Sequence, residues 1–157
     1  MTLAARLTRL PIAFDLAAAA DLRAELSGFT PQMMDLLAAT AGCSPYLRGL
    51  MLREADWLRA AVEAPEAALD ATLAAADALT AEALPLALRQ AKRRVALLAA
   101  LCDLGGAWSL EEVTGALTRL ADKAVHLSLT TLVAEEIRRG KLPGATPDDA
   151  ATAGGMV

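Results

Sequence analysis

A regular spacing of apolar residues in the second half of the chain constrains its fold more than any other feature. Apolar positions alternate at steps of four and three residues, in the order Leu84, Leu88, Ala91, Val95, Leu98 and Cys102. This repeat places the side chains on one face of a helix and is typical of helices packed nearly antiparallel to a neighbour. Gly105-Gly106 then predicts a C-terminal stop, and Ser109 with Glu112 has the capping-box pattern of a new helix. The segment therefore predicts a helical hairpin.

Composition extends this prediction to the whole chain. Of its 157 residues, 55% are hydrophobic but only 3% are aromatic. The apolar residues are mostly Ala and Leu, which are strong helix formers, whereas residues that favour strands are scarce. We expect an all-α fold, a multi-helix bundle with mostly antiparallel neighbours, in a chain long enough to bury one core.

Capping signals predict further helix boundaries. Thr30-Pro31 and Ser44-Pro45 each place a capping side chain before a proline at the first helical position. Pro65 indicates another start. Pro85 predicts a kink or a fresh start just before it, because a proline inside a helix removes a backbone hydrogen bond. The last helix is expected to run from residue 110 to about residue 139.

We divide the chain into three parts. Residues 1–14 form an irregular lead-in with a proline breaker, and residues 15–139 form the helical domain. Residues 140–157 are rich in Gly, Pro, Asp, Thr and Ala and carry no apolar period. Such a composition predicts a flexible, linker-like C-terminal tail.

Charge and hydropathy exclude several classes of protein. The net charge is −4, from 15 basic and 19 acidic side chains that are well mixed along the chain, so we expect no nucleic-acid partner. The longest apolar run, residues 95–102, is far shorter than the ~20 residues that cross a bilayer, so we expect no membrane partner. Pro11 and Asp15 interrupt the N-terminal apolar stretch, which argues against a signal peptide and for a cytoplasmic location.

Residues that could carry chemistry are few. His126 is the only histidine, and a lone histidine is more often structural, because catalysis and metal binding need a second group. Cys43 and Cys102 fit no zinc or redox spacing and are expected to be small buried hydrophobes. The adjacent carboxylates of Asp148-Asp149 are expected to be solvated charge. We therefore predict no catalytic, cofactor-binding or metal-binding residue.

A basic cluster is the most suggestive polar feature of the sequence. It comprises Arg89, Lys92, Arg93 and Arg94, of which the first three share one helical face through their spacing. One interpretation is a solvated face whose aliphatic stems cover neighbouring alanines. The other is a contact to a phosphate or to an acidic partner, since Arg offers a bidentate fork. The sequence leaves both interpretations open.

Six short motifs follow one another over about residues 40–140. They are Ala41-Gly-Cys-Ser-Pro-Tyr-Leu47, Arg53-Glu-Ala-Asp-Trp-Leu58, Leu88-Arg89 with Arg93-Arg94, Cys102-Asp-Leu-Gly-Gly106, Ser109-Leu-Glu-Glu112 and Leu120-Ala-Asp122. In order and spacing they resemble the helical part that precedes the first catalytic domain of the bifunctional glutamine synthetase adenylyltransferase/deadenylylase family. The resemblance rests on the six motifs taken together rather than on any one of them.

The resemblance implies a parent enzyme with two nucleotidyltransferase domains. They attach AMP to a tyrosine of glutamine synthetase and remove it by phosphorolysis, under control of a PII signal protein. Mg²⁺ and nucleotide are implied for the full-length family only. The carboxylates that hold Mg²⁺ in the family belong to a Gly-Ser…Asp-x-Asp pattern that this sequence lacks. We therefore expect the fragment alone to be inactive and to have no cofactor. Its implied partners are glutamine synthetase, the PII protein and the rest of its own chain.

Three functions stay open at this point. The first is an N-terminal fragment of such an enzyme, a helical scaffold or docking region without catalytic motifs that leads into a missing nucleotidyltransferase domain. The second is a stand-alone helical protein-interaction module, and the third is a carrier of an apolar ligand. If a catalytic domain normally covers the bundle, apolar surface is exposed here, and we expect some self-association.

Overall fold

The computed structural model describes residues 1–77 and 79–155. Over these residues the protein has seven α-helices, short 3-10 segments at Ala4–Arg6 and Pro147–Gly155, and no β-strand. The helices are α1 (Leu16–Glu25), α2 (Pro31–Cys43), α3 (Pro45–Arg53), α4 (Ala55–Ala61), α5 (Pro65–Ala74), α6 (Leu84–Leu104) and α7 (Leu110–Arg138). The predicted all-α bundle is confirmed. No helix in this part of the chain is long and apolar enough to cross a membrane.

The capping signals act as the sequence predicts. The side chain of Thr30 accepts a hydrogen bond from the amide of Met33 at the start of α2, and Ser44 caps α3 in the same way. At the start of α7, the amide of Glu112 donates to Ser109 Oγ over 3.2 Å, and Glu112 Oε2 accepts from the amide of Ser109 over 2.7 Å. These bonds satisfy amides that have no partner inside the helix.

Helix α6 forms the centre of the bundle. It contacts α2, α3, α4, α5 and α7. Five of the six residues in its predicted seam are buried, and Leu88 is half-buried. Pro85 lies in the first turn of α6, where it lacks only an amide that the helix does not use. The predicted fresh start of the helix before Pro85 is confirmed.

The lead-in is built into the bundle rather than lying outside it. Leu3 is fully buried in the hydrophobic core, and its amide donates to the carbonyl of Val62 over 2.7 Å. Further along, the amide of Thr8 donates to the carbonyl of Gly105 over 2.9 Å, at the turn that ends α6. Backbone hydrogen bonds at residues 3 and 8 thus fix the first part of the lead-in, which includes the 3-10 segment Ala4–Arg6, to the bundle.

Two glycines provide the space for the lead-in. A Cβ on Gly42 would lie 2.7 Å from Ala13 Cβ, and a Cβ on Gly105 would lie 2.5 Å from Leu7 Cδ2. Both distances are too short for carbon in contact. The glycines at the ends of α2 and α6 therefore let the irregular segment run directly against the helices.

Helix α7 is only partly covered. Its 29 residues extend about 43 Å at the usual rise per residue. Among them, only Ala116 and Val133 are buried. Its neighbours are α5, α6 and the 3-10 segment of the tail. Val113 and Leu120 pack against the core as half-buried residues, whereas Leu110, Leu117, Val125 and Leu132 are exposed.

Candidate partner-binding site

Glu54 occupies the single-residue break between α3 and α4. Its amide donates to the carbonyl of Leu50 over 2.9 Å, and its own carbonyl accepts from the amide of Leu58 over 2.8 Å. It therefore closes one helix and opens the next. Although it carries a charge, the residue is only 5% exposed. A carboxylate buried in this way needs a charged partner.

Two consecutive arginines of α6 supply that partner. Arg93 Nε donates to Glu54 Oε1 and Arg94 Nε donates to Glu54 Oε2, each over 2.9 Å. Burial acts to raise the pKa of Glu54, but the hydrogen bonds from Arg94 and Arg93 outweigh it and hold the pKa below its ordinary value. Glu54 is therefore ionised at neutral pH and fixes both guanidinium groups.

Each guanidinium group keeps a free edge. Only the Nε atoms bind Glu54, and the terminal Nη atoms of Arg93 and Arg94 make no hydrogen bond to any described residue. Arg94 also lies over the ring of Trp57, 5.3 Å from its centroid, in a cation–π contact. Together with Arg53 and Gln90, these side chains line a groove of about 320 Å³. The groove presents oriented N–H donors.

The structure separates the four residues of the predicted basic cluster. Arg93 and Arg94 turn to Glu54 and line the groove, whereas Arg89 and Lys92 are exposed. Neither Arg89 nor Lys92 forms an ion pair with any carboxylate in residues 1–77 and 79–155. Both interpretations of the cluster, a solvated face and a contact to a phosphate or an acidic partner, therefore stay predictions.

Sequence reasoning missed Glu54, although a signal was present. Leu50, Met51, Glu54 and Leu58 follow the spacing of one helical face. A charge among three apolar residues on such a face is rarely buried without a partner. An adjacent pair of arginines elsewhere in the chain offered that partner.

The remaining candidates are not assembled into a site. His126 is exposed, and its carbonyl accepts a hydrogen bond from Thr130 Oγ1 over 3.0 Å. Asp149 accepts from the amide and the hydroxyl of Thr146 in the tail. Within the described residues, no group of three or more His, Cys, Asp or Glu side chains could hold a metal ion.

The prediction for the two cysteines is half correct. Cys102 is buried, and burial raises the pKa of its thiol to about 12. Cys43 is exposed, so the prediction that it is buried is wrong. The reason is its position as the last residue of α2, where its Sγ reaches the carbonyl of Ile12 in the lead-in over 3.0 Å.

We expect the stabilising effect of Glu54 to depend on pH. Its pKa is lowered from 4.5 on folding, so its contribution is present above the unfolded-state value and is lost as pH falls through the folded-state value. The free energy of unfolding of Glu54→Gln should be lower than that of wild type at about pH 7, and the difference should shrink towards about pH 3. Urea unfolding across this range measures it. An equal difference at both ends would contradict the assignment.

Comparison with known proteins gives the family. A sequence model described as glutamate-ammonia ligase adenylyltransferase matches residues 33–156. Because the match covers most of the chain, including Glu54 and both arginines, the chain belongs to the glutamate-ammonia ligase adenylyltransferase family. No solved structure matches it significantly.

Several curated relatives carry the name bifunctional glutamine synthetase adenylyltransferase/adenylyl-removing enzyme. The protein from Caulobacter vibrioides is 42% identical over 125 residues, which cover 76% of this chain and 13% of that protein. The protein from Rhodopseudomonas palustris strain CGA009 is 38% identical over 144 residues, or 88% of this chain and 14% of that protein. A Bradyrhizobium protein, strain BTAi1, is 39% identical over 137 residues. The chain thus spans about one seventh of the relatives it matches.

Proposed function

We propose that this chain is the N-terminal helical scaffold of a glutamine synthetase adenylyltransferase/adenylyl-removing enzyme and docks the part of the enzyme that performs the chemistry. The family match, combined with a chain that spans 13–14% of its relatives, supports this proposal. In this scheme glutamine synthetase is the substrate partner and a PII protein is the regulator. Mg²⁺ and nucleotide are bound elsewhere in the enzyme.

The apolar stripe of α7 is the observation that carries the docking role. Leu117, Val125 and Leu132 recur at about two-turn spacing, and they are 43%, 54% and 62% exposed. Near the end of the helix, Leu132 and Leu142 also line an apolar groove of about 260 Å³. A row of large exposed apolar side chains along one helix is typical of a surface that another protein element covers. Without that cover, the same stripe would favour self-association.

Complementation in two pieces tests the docking role. We expect the chain to co-purify with the Caulobacter vibrioides relative from which the matched segment has been deleted, and to increase its adenylyl transfer to glutamine synthetase. Leu132→Asp should abolish both effects, because it places a charge in the apolar contact. Leu16→Asp is the matched control: Leu16 is 74% exposed at the start of α1, a helix that packs on α2, and the variant should leave both effects intact.

Two results would overturn the proposal. The first is that the truncated relative neither binds the chain nor gains activity from it, which would favour a stand-alone interaction module. The second is ADP release when the chain alone is incubated with adenylylated glutamine synthetase, phosphate and Mg²⁺. Equal loss of complementation in both variants would show that the stripe is not the docking surface.

A further inference from the structure

Three of the basic side chains differ from the others because they form no ion pair within the described residues. The chain has 15 lysines and arginines. Twelve of them form ion pairs within the described residues. The three that form none there are Arg53, Arg89 and Lys92. Unpaired positive charge is therefore not scattered over the surface.

One of these residues lines the groove of Arg93 and Arg94, and the other two lie beside these arginines on α6. Arg53 lines the groove itself, from the end of α3. Arg89 lies one turn before Arg93 on α6, and Lys92 directly precedes Arg93. From Arg89 to Arg94, the cluster extends about 7.5 Å along the helix axis.

The local charge is opposite in sign to that of the whole chain. Arg53, Arg93 and Arg94 line the groove beside the buried Glu54, and Arg89 and Lys92 lie within about one turn of Arg93 on α6. The exposed carboxylate of Asp56 also lines the groove and pairs with Arg59 over 2.6 Å. The net charge of the chain is nevertheless −4. A nucleic acid would meet repulsion from the rest of the surface, whereas a short acidic segment can touch the basic patch alone.

We propose that this patch (Arg53, Arg89, Lys92, Arg93 and Arg94) binds an acidic segment of a partner protein. Glu54 holds the Nε edges of two guanidinium groups and leaves their Nη edges free, which suits bidentate pairing with a carboxylate. The cations cover two helices, so they match several carboxylates in a row better than one small anion. Leu52 and Trp57 in the groove wall offer apolar contact to the stems of the acidic side chains.

Titration with a short Glu-rich peptide tests this inference independently of the docking role of α7. We expect calorimetry to show binding that weakens as salt is added. The double variant Arg89→Gln/Lys92→Gln should weaken binding about tenfold, because charges at an interface edge attract the incoming partner. Arg138→Gln/Arg139→Gln removes the same charge at the far end of α7 and should change affinity less than about twofold.

The same titration has outcomes that overturn the inference. Absence of peptide binding, or equal loss in both double variants, would exclude a specific acidic-segment site. Inorganic phosphate that displaces the peptide at comparable concentration would indicate a small-anion site instead. Arg89 and Lys92 are exposed and form no ion pair with a described carboxylate, so their variant should unfold at the wild-type urea concentration. Arg53→Gln provides a second test from the other side of the groove, with weaker binding expected.

Discussion

Replacing Leu3 with Ala is expected to lower the free energy of unfolding by about 3 kcal/mol, as for a leucine in the middle of a core helix. Leu3 is fully buried in the main hydrophobic cluster, although the segment around it has little regular structure. Truncation removes its contacts and leaves a cavity that the surrounding helices cannot fully close. Urea unfolding followed by far-UV circular dichroism measures the change.

Leu10→Ala is the matched control in the same lead-in. Leu10 is 47% exposed, so the loss should stay within about 0.5 kcal/mol. Similar losses in the two variants would show that the lead-in is not part of the core. A large loss for Leu3 alone would show that the helical bundle needs its N-terminal extension to reach full stability.

The helices could be predicted from sequence because their signals are local. A cap such as Thr30 acts on an amide three residues away, and the seam of α6 repeats within a single element. The lead-in has no period, so nothing in the sequence marks Leu3 as a core residue. Its amide bonds to the carbonyl of Val62, about sixty residues later, and Gly105 leaves room for Leu7 of the same segment. These contacts are tertiary and leave no local pattern.

Only part of the candidate site could be predicted from the sequence, because the rest also depends on a contact between distant residues. Charge alone singled out Arg93 and Arg94, and the sequence could not say which way they point. The structure orients them through Glu54, 39 and 40 residues earlier in the chain. Only the combination of a charge on an apolar helix face with an arginine pair elsewhere would have predicted the contact. The number of possible pairings grows with chain length, and the sequence does not rank them.

The contact made by Glu54 affects both the stability of the fold and the geometry of the proposed binding patch. Without Glu54, two adjacent guanidinium groups would repel each other and turn out to solvent, and their free edges would lose a common orientation. The ion pairs also join the α3–α4 break to the central helix α6. One carboxylate thus stabilises the bundle and positions the donors of the groove.

Glu54→Ala should therefore lower the free energy of unfolding by about 3 kcal/mol at neutral pH. Removing the carboxylate leaves the positive charges of Arg93 and Arg94 without their partner in a partly buried place. We place the loss at the low end of the usual range, since the side chains of Arg93 and Arg94 are 26% exposed and regain some water contact. The control is Glu25→Ala: the Glu25 side chain is 47% exposed in its pair with Arg48, and Asp21 remains near Arg48, so this variant should cost less than about 1 kcal/mol. Equal losses in urea unfolding would contradict a special role for Glu54.

If Glu54 also positions the patch, Glu54→Ala should weaken binding of the Glu-rich peptide despite removing a negative charge, whereas electrostatics alone predicts tighter binding.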